Sequence, residues 1–206
     1  MRRVHHLQNS RSQRILWMLE ELGLDYEVVR YARDPKTMLA PPELRAIHPL
    51  GKSPLLEEDG VIYAESGAIV EHLVQSNGRL GPAGTAEDRR RWRMFLHYAE
   101  GSMMPPLLAM LVVRRLGILG RPARKPLQRM FDVHLRYLES ELSARSWFAG
   151  DEFSAADIMM SFPLEAARHR GGLDSRYPNL QHWLDRIHAR PAYVRALQAG
   201  GPYAYD

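Results

Sequence analysis

Residues 48–66, HPLGKSPLLEEDGVIYAES, decide how this chain is read. Residues 54–57 and 61–64 are short and largely apolar, with β-branched Val61 and Ile62, and Asp59-Gly60 between them is a tight-turn pair, so the stretch reads as a hairpin. Pro54 stands at the entrance of the first strand, where a backbone donor should join a ladder. Something other than an ordinary sheet partner has to complete the backbone at that point.

Toward the amino terminus, residues 26–31 read as a strand and residues 4–7 as a weaker one. Between them Ile15, Leu16, Leu19 and Leu22 recur at helical spacing in a segment starting near Arg11, and Gly23 supplies the stop. Strand, helix and strand within about 30 residues make a βαβ unit, whose crossover favours parallel pairing. A short helix at 42–47, the hairpin, and a helix from Gly67 to about Gln75 complete the order βαβαββα. The turn-rich run 76–84, SNGRLGPAG, marks a linker. After it, segments near 87–103, 106–117, 123–144, 155–170, 178–189 and 191–198 are amphipathic and end at Gly or Pro signals. The predicted organisation is an α/β domain over residues 1–78 followed by an all-helical domain over 87–206.

With 206 residues, 45% of them hydrophobic, the chain can build a sizeable core. It has no apolar run of about 18 residues, and MRRVHHLQNS lacks a secretory h-region, so a cytoplasmic protein without a membrane partner is expected. The net charge of +4 is spread among acids; its densest group, residues 89–93, reads as a solvated helix face, and no nucleic-acid partner is expected. There is no cysteine, which excludes disulfides, thiolate metal sites and a Cys-x-x-Cys redox pair. His5 and His6 adjoin on a strand and face opposite sides, so no metal site is expected.

Two helix starts carry polar signatures. In FSAADI, Ser154 and Asp157 form a capping box with Phe153 and Ile158 as a staple, a structural role. In NSRSQR, Ser10 and Gln13 also fit a capping box, but Arg11 and Arg14 put positive charge where the helix dipole is already positive. That conflict points to a bound anion, and Asn9 is able to cap in place of Ser10, leaving the Ser10 hydroxyl free to donate.

The runs SRSQRILWMLEELGLDYEV, HPLGKSPLLEEDGVIYAESGAIVEHL, FSAADIMM and PNLQHWLDRIHARPAY resemble the cytosolic glutathione transferases over essentially the whole chain, and most of all bacterial members with serine or asparagine at the active site. The resemblance implies a thioredoxin-like amino-terminal domain, an all-helical carboxy-terminal domain and a homodimer, with glutathione as cosubstrate and no metal. It also implies that the bond before Pro54 is cis, which costs about 0.5–1 kcal/mol before proline, and that the Ser53 backbone is a free strand edge on which glutathione pairs as an added strand. Glu65 and Ser66 match the pair that holds the γ-glutamyl group, and Lys52 the residue that meets the glycine carboxylate.

A chain without a thiol of its own does sulfur chemistry only with a borrowed one. A free thiol with a pKa of about 8.5 is mostly protonated at neutral pH, and lowering it by about two units takes roughly 2.7 kcal/mol of preference for the thiolate. Ser10 or Asn9, with the helix start and Arg11, would supply it; the sequence leaves open which. Many relatives use tyrosine or cysteine there, and this chain has no tyrosine near position 10. The expected activity is conjugation of glutathione to small hydrophobic electrophiles, or glutathione-dependent reduction of peroxides or disulfides. A glutathione-dependent isomerase and a noncatalytic interaction module are the alternatives. Tyr98, Met103 and Met104 are the residues expected to line the electrophile pocket.

Overall fold

The βαβ pattern forms as the periodicity predicts. A computed structural model describes residues 1–205, which group into two units: Met1–Gly81 with His188–Ala204, and Pro82–Ile187 with Tyr205. The first contains β1 (Arg2–Leu7), α1 (Ser12–Leu22), β2 (Glu27–Tyr31), α2 (Leu44–Ile47), β3 (Leu55–Glu58), β4 (Val61–Ala64) and α3 (Ser66–Asn77). The strands lie in the order β2-β1-β3-β4. β1 and β2 are parallel, with Val4 opposite Val28, and β3 runs antiparallel to both β1 and β4, with Leu56 between Val4 and Tyr63. Gly23, at φ 69°, ends α1 in the left-handed conformation, and the Leu24 N–H closes back onto the Leu19 carbonyl at 3.1 Å. This is the thioredoxin-like βαβαββα arrangement.

α1 is buried almost all round, and the reason is in its sequence. Ile15-Leu16-Trp17-Met18-Leu19 is apolar at every position, so covering one face leaves the other needing a partner. The partner is the last helix, α9 (Pro191–Gly200). Tyr193 meets Trp17 edge to face at 5.1 Å, and Arg190 grips Glu21 with two bonds of 2.5 and 2.8 Å. The division read from sequence kept this helix within 87–206; contacts group it with the first unit instead.

The second unit is helical: α4 (Ala86–Tyr98), a π-helical turn at Ala99–Met103, α5 (Met104–Arg115), α6 (Arg121–Ala144), α7 (Ala155–Arg170) and α8 (Pro178–His188). The π turn sits immediately ahead of Pro105 and Pro106, neither of which has an N–H to return to the preceding turn. α7 is buried over most of its length and opens with the predicted capping box. The Asp157 carboxylate also accepts from Phe148 N at 3.1 Å and from Trp183 Nε1 at 3.2 Å. Burial raises its pKa to about 6, outweighing the hydrogen bonds from Phe148, Ser154 and Trp183 that lower it. Asp157 is thus a structural hub, as the box implied. Among the described residues no helix is long and apolar enough to cross a membrane.

Candidate functional site

The Ser53–Pro54 peptide is cis. Pro54 is buried at the entrance of β3, and Ser53 lies two residues beyond the last residue pair of the β1–β3 ladder, Leu55 opposite His5. There the Ser53 side chain takes over from the backbone. Its Oγ donates to the His5 carbonyl at 2.8 Å and accepts from the Leu7 N–H at 3.2 Å. Among the described residues, neither the N–H nor the carbonyl of Ser53 has a hydrogen-bond partner. The end of β1 is satisfied while a stretch of neighbouring backbone is left open, an edge able to accept an extended peptide.

Strand register sets the next residues beside it. Leu55 pairs with Ala64, so continuing the hairpin carries Pro54 and Ser53 toward Glu65 and Ser66 at the start of α3. Glu65 has φ 71° and ψ 124°, a conformation costing a non-glycine residue about 1–3 kcal/mol and one that clusters at functional sites. No side chain caps α3. Its first backbone bond runs from Ile69 N to Glu65 O at 3.0 Å, which leaves the amides at the head of the helix directed at whatever lies before it. Ser66 is 4% exposed and its hydroxyl has no partner among the described residues. Glu65 and Lys52 are exposed, and Lys52 pairs with no acid among the described residues. An open strand edge, an uncapped helix start, an unpaired hydroxyl, a carboxylate and an ammonium are thus gathered within one hairpin end.

The start of α1 does not form the capping box that Ser10 and Gln13 fit in sequence. The helix begins at Ser12 with Arg11 flanking it and no side-chain cap in the box geometry. Ser10 Oγ instead accepts the Ser12 N–H at 3.2 Å and lies 2.8 Å from Ser12 Oγ. Asn9, at φ 53°, uses its Oδ1 to accept the Ala204 N–H at 2.8 Å, so it does not cap either. Ser12 is fully buried and meets His6 Nδ1 at 2.9 Å and the Leu7 N–H at 3.2 Å, the same amide that Ser53 Oγ reaches. Ser10, Ser12, Leu7 and Ser53 therefore form one connected polar chain from the start of α1 to the open edge. Neither Ser12 nor His6 was singled out from sequence as a site residue; the available signal was a second hydroxyl two positions after Ser10. His5 points away to a different partner, the Tyr31 hydroxyl at 2.9 Å.

The three residues expected at an electrophile pocket lie in the helical unit. Met103 and Met104 are buried, at 0% and 6% exposure. Tyr98 is half-buried with its hydroxyl 2.6 Å from His134 Nδ1. Tyr205 is tied down, accepting a hydrogen bond from Arg170 at 2.8 Å and packing edge to face on Phe162.

Comparison with known proteins agrees with this architecture. Residues 10–76 match the family model of the glutathione S-transferase N-terminal domain, and residues 121–186 match that of the glutathione S-transferase C-terminal domain. Glutathione S-transferase 3 of Schizosaccharomyces pombe is 35% identical over 92% of this chain and 84% of its own. Among solved structures, a glutathione S-transferase from Actinobacillus pleuropneumoniae superposes with a TM-score of 0.87 at 34% identity, covering 96% of this chain and 92% of the other. A glutathione transferase family member from Pseudomonas fluorescens, with two glutathione bound, gives a TM-score of 0.78 at 25% identity over 95% and 92% of the two chains. Two domain matches in order and a relative at this identity over nearly the full length place the chain in the glutathione S-transferase family.

Proposed function

We infer that this protein binds glutathione at the end of the β3–β4 hairpin and activates its thiol for attack on small hydrophobic electrophiles. The observation that carries the reading is the open Ser53 backbone next to the uncapped, unpaired start of α3. Glutathione fits those groups chemically. Its cysteinyl backbone has a donor and an acceptor for Ser53, as in strand addition. Its γ-glutamyl carboxylate suits the Ser66 hydroxyl and the α3 amides, its ammonium suits Glu65, and its glycine carboxylate suits Lys52. The Pseudomonas fluorescens relative with glutathione bound supports the same ligand.

Activation is assigned to Ser10, with the start of α1 and Arg11 adding positive potential. Asn9 is the weaker candidate, because its side chain is already directed toward Ala204. Ser10 donates a hydrogen bond to the sulfur and forms no covalent bond. The thiolate then bonds to the electrophilic carbon while the leaving group departs with its electron pair. The same thiolate can attack a peroxide oxygen or a mixed-disulfide sulfur, and a panel of electrophiles, hydroperoxides and disulfides separates these. The reading extends to a homodimer acting in the cytoplasm, the assembly being checked by sedimentation.

The deciding experiment is calorimetric titration with glutathione. Glu65→Ala and Ser66→Ala should each weaken binding about tenfold or more with the fold intact, whereas Ser10→Ala should leave affinity nearly unchanged and raise the pKa of the bound thiol. Unaltered binding in both of the first two variants rejects the assigned site.

A further inference from the structure

Resting on the glutathione reading above, the buried polar line at the start of α1 reaches two residues beyond Ser10. Ser10, Ser12 and His6 are buried, at 6%, 0% and 3% exposure, and their polar atoms form an unbroken line: His6 Nδ1, 2.9 Å to Ser12 Oγ, 2.8 Å to Ser10 Oγ. We propose that His6, with its ring proton on Nδ1, sets the direction of a hydroxyl relay through Ser12 that leaves the Ser10 hydrogen pointing outward as the donor to the bound thiolate. His6 and Ser12 are then positioning residues for Ser10.

Burial first, and Arg30 second, push the His6 pKa down to about 4, so the ring is neutral and holds one proton near neutral pH. Its Nε2 makes no hydrogen bond to the protein among the described residues, whereas a proton on Nδ1 has Ser12 Oγ as its acceptor. Ser12 Oγ then accepts from His6 and from Leu7 N–H at 3.2 Å, filling both lone pairs. Its hydrogen has two acceptors in reach: the Leu7 carbonyl at 3.3 Å and Ser10 Oγ at 2.8 Å, of which Ser10 is the closer. Ser10 Oγ, receiving Ser12 O–H and Ser12 N–H at 3.2 Å, is full as an acceptor, and its own hydrogen is left to donate. Each bond polarises the next, which strengthens the last donor.

The other tautomer reverses the line. With Nδ1 bare, Ser12 must donate to it, Ser10 must donate to Ser12, and no hydrogen remains for the sulfur. Gly200 of α9 lies near the ring, where a Cβ would come 3.3 Å from His6 Cε1.

The test is ultraviolet titration of the bound glutathione thiolate, with affinity measured in parallel. His6→Leu and Ser12→Ala should each raise the bound thiol pKa by about one unit, a tenfold loss of thiolate preference, with little change in affinity. His6→Asn, whose amide nitrogen replaces the Nδ1 donor, should stay near the wild type. In the wild-type complex the nitrogen NMR shifts of His6 should show the proton on Nδ1. A wild-type pKa in both His6→Leu and Ser12→Ala, alongside a raised one in Ser10→Ala, overturns the relay and leaves the glutathione reading standing. Protonation at Nε2 in the complex overturns it too and needs no variant to fold. Absence of any glutathione binding by the wild type overturns both.

Discussion

Asp157→Ala offers a stability test whose sign depends on pH. The carboxylate accepts from Phe148 N–H, Ser154 N–H and Trp183 Nε1–H, all at buried residues. Truncation leaves those three donors without an acceptor, and at about 1 kcal/mol each the loss near neutral pH is about 3 kcal/mol. The pH term follows from the shift of the folded pKa from 3.8 up to about 6. Because the folded state holds the proton more tightly, Asp157 contributes stability below the unfolded pKa, and that contribution drains away as pH rises through about 4 to 6. At about pH 5 the folded group is mostly protonated and the unfolded group mostly ionised, which integrates to roughly 1 kcal/mol in favour of the wild type. Other carboxylates titrate equally in both proteins and cancel in the difference. The cost of Asp157→Ala should therefore be about 3 kcal/mol near neutral pH and about 4 kcal/mol at about pH 5, measured by urea unfolding at both. A cost that is larger near neutral pH refutes the reasoning, since it would mean that the hydrogen bonds to the ionised form outweigh burial.

Glu21→Ala should destabilise by about 2–3 kcal/mol, because it strips the acceptor from buried Trp17 Nε1 at 2.8 Å and both bonds from Arg190. Hydrogen exchange should show the α9 amides opening more readily; unchanged protection there would count against the pairing that fastens α9 to α1. Gly171→Ala should cost about 1–3 kcal/mol in thermal or urea unfolding, since a Cβ would lie 2.7 Å from Phe131 Cε1 and 2.9 Å from Leu107 Cδ2. A neutral effect would show that those side chains have room to move.

Signals that act over a few residues were legible in the chain. The Asp59-Gly60 hairpin, the Gly23 stop and the Ser154–Asp157 box each rest on backbone chemistry confined to one turn, and all three form where expected. The capping box that Ser10 and Gln13 fit in sequence does not form, for a physical reason: a hydroxyl at a helix start has several acceptors and donors within reach, and here Ser12, two residues on, competes successfully. Met103 and Met104 are equally ambiguous in sequence, because a soft apolar side chain suits a pocket and a core alike.

The sequence by itself determined the βαβαββα order, the run of helices after it, the absence of an internal thiol and the proline at the mouth of β3. Only the tertiary structure decided that α9 covers the second apolar face of α1, that the Ser53 side chain closes β1 while its backbone stays open, and that His6 reaches Ser12. Periodicity and turn chemistry are written in neighbouring residues. The partner of a buried hydroxyl or of a doubly apolar helix is fixed by which distant segments fold against it.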